Sequence, residues 1–250
     1  MFHESYQLAT MKRQLLTLFL ILPFSLLAQN GIIADLTGLL SSMRYTNDSL
    51  VAPTRQGGTT IANELSVNAC YQLALKNPRI SLRAGLGYTE RNMRMNKTGL
   101  DVFFVYILSF GSHATDSFPL NSMQLRAHYL DIPVACLYTL TKEDRALQIQ
   151  AGVQLNPAIL LNSRANLTYD PAFPEPTGAQ RDAAEKRYTG TTAKFILGIQ
   201  PRIDLKFPAS ARSGFLLNLV PVHLYTSSWN NKIATSSAGY GLTIGLYYHL

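Results

Sequence analysis

The chain has 250 residues, 47% apolar and only 15% charged, with 13 Tyr and 11 Phe, which excludes a disordered or low-complexity protein. Its formal charge of +7 raises nucleic acid as a partner, but no basic run carries interleaved aromatics and no recognition-helix pattern is present, so none is expected. Two cysteines are too few for a disulfide scaffold in a chain of this length.

In chain order, residues 1–10 read as an upstream extension before Met11. Residues 11–28 read as a signal peptide, with Lys12 and Arg13 as its charged start, Leu15 to Leu27 as its apolar core and Ala28 as the last residue removed. An uncleaved anchor is the alternative, and the core is short for a bilayer. The domain proper is expected over 29–250.

From there the chain alternates with period two, the signature of strands with one apolar face. The first strand is expected at 32–45. In the second, Leu65, Val67, Ala69, Tyr71 and Leu73 oppose Glu64, Ser66, Asn68, Cys70 and Gln72. In the third, Leu82, Ala84, Leu86 and Tyr88 oppose Arg83, Gly85, Gly87 and Arg91. Further strands are expected at 123–140, 145–156, 192–207, 214–228 and 239–250, eight in all; in 214–228 both faces are apolar and lipid and lumen cannot be assigned. The connections after strands two, four and six are short, at Asn77-Pro78, Thr141–Asp144 and Pro208–Ser213, and the others are long. Strict alternation of short and long predicts an all-β, eight-stranded antiparallel transmembrane meander barrel with short periplasmic turns and long extracellular loops.

A two-residue turn at 77–78 pairs Leu73 with Leu82 and Glu64 with Arg91. A four-residue turn at 141–144 pairs Cys136 with Ile149, which turns Cys136 to lipid and Cys70 to the lumen, so no disulfide is expected. Aromatics near strand ends suit interfacial girdles: Tyr45, Tyr88, Trp229 and Tyr240 at one rim, Tyr138, Phe207, Phe215 and Tyr248 at the other. Glu64, Arg83, Arg91, Asp131, Lys194, Arg202 and Asp204 fall on polar faces, too charged for a soluble core, and are expected to form a lumenal ion-pair network. A narrow solute path is the alternative use of these charges. Arg91, Arg94 and Lys97 fall near the outer rim, as candidates for lipopolysaccharide phosphates or as a solvated cluster.

Residues 100–111, "LDVFFVYILSFG", are apolar within a long loop. They are read as the top of a tall hairpin, as another strand, or as a partner-binding surface. Loop 162–190 reads as a solvated loop with one helical turn. Chemistry is hard to place: His128 and His223 lie on strands without a Ser and a carboxylate at their height, zinc spacing is absent, and neither enzyme activity nor a cofactor is expected.

At Tyr129-Leu130-Asp131-Ile132-Pro133 the chain resembles the PorT-like family of small outer-membrane barrels, with an OmpA-like eight-stranded layout. The resemblance implies an eight-stranded barrel, with some members assisting secretion or surface assembly. Pro133 removes a ladder donor, and Leu125 and Ala127 run in the opposite phase from Ile132 and Val134, which predicts a bulge there. The closing strand, with Tyr240, Leu242, Ile244, Leu246, Tyr248 and Leu250 on one face, resembles the C-terminal signal read by the barrel-assembly machinery, although it ends on Leu and not an aromatic.

The expectation is therefore a non-enzymatic barrel in the outer membrane of a Gram-negative bacterium after signal cleavage, structural or partner-binding through its extracellular loops. Its partners would be outer-membrane lipid, lipopolysaccharide and envelope or secretion proteins. The alternatives are a soluble exported barrel binding an apolar ligand and a lipid-modifying barrel enzyme.

Overall fold

The computed structural model describes residues 30–45, 59–96, 104–110, 114–141, 147–169, 171–172, 174–190, 192–226 and 234–250. The expected leader, Lys97 and Trp229 lie outside these residues.

Among the described residues ten strands form in chain order: β1 (Gly31–Tyr45), β2 (Thr59–Ala74), β3 (Ile80–Asn96), β4 (Phe104–Phe110), β5 (Ala114–Asp131), β6 (Val134–Thr139), β7 (Gln148–Tyr169), β8 (Phe195–Pro208), β9 (Ser213–Tyr225) and β10 (Ala234–His249). One helix, α1 (Gly178–Thr189), follows β7. All pairings are antiparallel, and β10 closes onto β1 with Ile32 opposite Tyr248. β5 and β6 occupy one place in the ring, between β3 and β7, and β4 pairs only with β5, so the ring has eight strands.

The β2–β3 turn pairs Leu73 with Leu82 and Glu64 with Arg91 as its length requires. Asn77 closes it, its carbonyl accepting from Ile80 N and its side chain from Arg79 N. The β6–β7 register corrects the expectation: Cys136 faces Val153, not Ile149. β7 begins at Gln148, and Leu140 N bonds Ile149 O at its base. The slip is four residues, an even number, so every side chain keeps its face. Cys70 is buried, Cys136 is exposed, and both are free thiols.

No bulge forms at Pro133. Asp131 pairs with Gly87 and Val134 with Ala84, an unbroken register, and Pro133 only omits one ladder donor. The backbone around it is satisfied by Gly85 N to Pro133 O (3.0 Å) and Ile132 N to Pro157 O (2.9 Å). The irregularity lies across the ladder in β7, where His128 faces Asn162 and Tyr129 faces Leu160. In β9 a further slip around Pro221 explains why its faces were unreadable: Leu216, Asn218 and Val220 point inward, and then His223 does.

The phase change has a different cause. Along β6 and the lower β5, apolar Tyr138, Val134 and Leu130 point outward while Leu137, Ala135 and Asp131 point in. Above Leu130 the parity is kept but the chemistry inverts: Tyr129, Ala127, Leu125 and Met123 are buried, and Arg126 points out, exposed. β3 inverts at the same level, from outward Leu82, Leu86 and Tyr88 to outward Arg94 with Met93 buried. β7 changes at the same level but across its irregularity, from outward Val153, Leu155, Ile159 and Leu161 to outward Arg164 with Ala165 buried.

Above that level β3, β5 and β7 continue as an arm. β4 pairs with residues 114–120 of β5 on the edge that β3 occupies lower down, so "FVYILSF" is the distal half of a tall hairpin outside the ring. The expected loop 162–190 is corrected. Its first eight residues continue β7, because each pairs or aligns with β5, and the helix runs twelve residues, not one turn. Thr177 and Gln180 form a reciprocal capping box at its start, which supplies two of the orphan donors. Ala184 and Tyr188 are its buried residues, and Ser163 of β7 bonds Thr189 O at its end.

Candidate functional site

Inward-facing polar residues from the ring strands meet in two layers. In the layer nearer the short turns, Arg83 of β3 and Asp204 of β8 meet across the barrel at 2.7 Å, each about 1% exposed or less. Arg202 binds the other oxygen of the same carboxylate at 3.0 Å, and also donates to Gln154. Gln72 accepts from both Arg83 (3.2 Å) and Lys206 (3.0 Å), and Lys206 Nζ lies 5.3 Å from the Tyr247 ring centre. Above them, Arg91 pairs with Glu64 at 2.8 Å and lies over the Tyr225 ring at 4.2 Å. The Thr89 hydroxyl sits between Ser66 Oγ and the Asp131 carboxylate. His223 Nδ1 meets Gln200 Oε1 at 2.8 Å, and Asn68 donates to Asp35 at 2.7 Å.

Arg83, Arg91, Arg202 and Lys206 thus stand against Asp35, Glu64, Asp131 and Asp204, formal charges in balance among the described lumen residues. A lone buried charge costs several kcal/mol, so equal numbers of each sign, paired directly or held by Asn68, Thr89 and Gln72, are what makes this interior tolerable. The space left between Thr37, Glu64, Arg91, Asp131, Gln200 and His223 is about 20 Å³, enough for about one water.

Six of the seven charges expected in the lumen are there. Lys194 is not: a bend just before β8 breaks the alternation, Ala193 packs inward against Ile196 and its neighbours, and Lys194 is exposed. Arg91 is also corrected as a lipopolysaccharide contact, since it is buried against Glu64 and Tyr225. Arg94 is exposed on the outer face. Lys206, Asp35, Gln72 and Gln154 had not been singled out; for Lys206 the signal was present, because it continues the parity of Arg202 and Asp204. Tyr240, Leu242, Ile244, Leu246, Tyr248 and Leu250 form one outward column on the closing strand.

The two strand histidines make bonds unlike those of a catalytic triad. His128 Nδ1 lies 2.6 Å from the Tyr88 hydroxyl on the outer face, and His223 bonds Gln200. Among the described residues no group of three His, Cys, Asp or Glu could hold a metal ion. No helix among them is long and apolar enough to cross a membrane, which says nothing of strands. A soluble barrel for an apolar ligand needs its apolar face inward, and the structure places that face outward.

No family model matches the chain, and no curated protein does. Among solved structures it is similar to the outer membrane protein OprG from Pseudomonas aeruginosa, at 10% identity over 89% of this chain and 96% of that one, TM-score 0.48. It is also similar to Neisserial surface protein A, at 10% identity over 88% and 97%, TM-score 0.43. A third is the outer membrane protease OmpT from Escherichia coli, at 12% identity over 90% and 99%, TM-score 0.36. Identities and scores of this size leave the functional reading to the chain's own geometry.

Proposed function

We propose that this chain is a non-enzymatic barrel of a Gram-negative outer membrane, exported with loss of residues 11–28 and inserted by the barrel-assembly machinery. Its ring is a sealed anchor, and the arm of β3, β4, β5 and β7 with α1 is its working part, a platform for envelope or secretion proteins. The PorT-like resemblance at Tyr129–Pro133 points the same way, toward assistance in secretion or surface assembly.

One observation carries the membrane reading: β3 and β5 exchange apolar-out for apolar-in at a single level without losing parity, and β7 makes the same exchange there across its irregularity. That is how a strand behaves when its outer face passes from hydrocarbon to water. From Leu140 to Leu130 the outward apolar run spans roughly 33 Å along the strand, or about 25 Å of height at a barrel tilt near 40°. A spanning barrel needs an apolar band of about that height.

The test is purification with and without detergent, followed by gel mobility before and after heating. A barrel that needs detergent and migrates as a compact form until boiled is expected; a detergent-free soluble monomer sinks the reading. In planar bilayers the inserted protein should pass no steady current, and cross-linkers placed on α1 in intact cells should trap envelope proteins.

A further inference from the structure

The outer face of the arm carries arginines just above the level where the apolar surface ends. Arg126 of β5 and Arg164 of β7 are directly opposite in the ladder, and both are exposed. Arg94 of β3 faces Gln124, one step diagonally from Arg126. Like charges opposite each other across a ladder are destabilising, so the protein bears a cost here that an anion between them would remove. Among the described residues neither Arg126 nor Arg164 forms an ion pair. The Gln124 carboxamide, with its oxygen turned to Arg126, accepts from Nε and Nη2 at 3.1 Å and steadies that guanidinium. Asn92, paired with Arg126 in the ladder, lies 3.1 Å from the same amide.

Height identifies the anion. Among the described side chains Leu130 is the last outward apolar residue of β5, and Arg126 lies four residues above it, about 13 Å along a tilted strand and about 10 Å higher. Tyr88, stacked on His128, marks the boundary between the two. Charges there stand at the depth of lipid headgroups. Guanidinium groups bind phosphate with paired, directional hydrogen bonds, which suits a rigid phosphate more than a diffuse counterion layer. The carboxylate of this face, Glu90, lies lower, opposite His128, while Asp182 and Glu185 of α1 share the cleft at the arm's edge with Arg164.

We infer that Arg94, Arg126 and Arg164 form a phosphate-binding face that seats the phosphorylated glycolipid of the outer leaflet against the arm. The inference rests on the membrane reading above and takes over the role that the sequence had suggested for Arg91.

The test compares barrels inserted in nanodiscs containing lipid A, dephosphorylated lipid A or phosphatidylglycerol, reading lipid retained after exchange into an excess of neutral lipid. Insertion is established first by unheated gel mobility. The wild type should retain lipid A about tenfold better than either comparison lipid, and R126Q/R164Q should lose about tenfold of that, while R212Q, at the turn end, should not. Equal retention of dephosphorylated lipid A, or retention of phosphatidylglycerol as strong as that of lipid A, overturns the inference while leaving the membrane reading intact. So does an inserted R126Q/R164Q barrel that retains lipid A normally. A protein that does not insert at all overturns both. The comparison of lipids on the wild type stands even where the double variant fails to fold.

Discussion

His223 of β9 lies over Gly198 of β8, and its ring occupies the place that a side chain at Gly198 would fill. The contact lets a buried imidazole reach Gln200 at 2.8 Å inside a barrel too narrow for two side chains there.

Gly198→Ala should therefore destabilise the protein by about 1–3 kcal/mol, the usual range for overpacking, because the His223 ring must swing off Gln200. Gly38→Ala supplies the control: nothing lies within 4 Å of a Cβ there, on the outer face of β1. Urea midpoints of both variants in micelles measure the difference, and equal midpoints would refute the packing claim.

Asp204 serves two arginines at once, so Asp204→Asn leaves Arg83, Arg202 and Lys206 without their shared counter-charge. A loss of about 3–5 kcal/mol follows, read as a lower heating temperature at which the compact band disappears. The exposed pair of Arg181 and Glu175 offers the contrast, since Glu175→Gln should change stability by no more than about 0.5 kcal/mol.

The cysteines report which face meets lipid. In vesicles, a lipid-soluble maleimide should label Cys136, and brominated acyl chains should quench the attached fluorophore. Cys136→Ser should abolish labelling, because Cys70 is buried. Labelling at Cys70 in the intact barrel would mean that the faces are inverted.

The capping box makes a local prediction. Thr177→Ala should loosen α1 by about 1 kcal/mol, seen as faster amide exchange over 178–189 with the ring strands unchanged.

Much of this architecture was legible because parity is robust. The ring strands, the closure of β10 on β1 and the lumenal placement of Arg83 and Asp204 all follow from period two and from connection length. What was not legible has specific causes. The register of Cys136 slipped because the alternation runs back to residue 145, whereas β7 begins at Gln148 and pairs Cys136 with Val153. Lys194 was misplaced because a bend leaves no mark in an alternating pattern. Leu125 and Ala127 were read as evidence for a bulge at Pro133 on the assumption that apolar residues face lipid everywhere. On the membrane reading proposed above, the upper strand stands in water and the rule reverses there. Arg91 looked like a rim cation because nothing local says that Tyr225, on a distant strand, covers it.

Arg83 and Asp204 sit on β3 and β8, strands that share no backbone ladder. In a flat sheet they lie three strand spacings apart, about 14 Å, so only the curvature of the wall gives Arg83 its counter-charge. Curling of the β3, β6, β7 and β8 wall is therefore electrostatically favoured over a flat sheet, and the interior works as a latch that engages only on a curved wall.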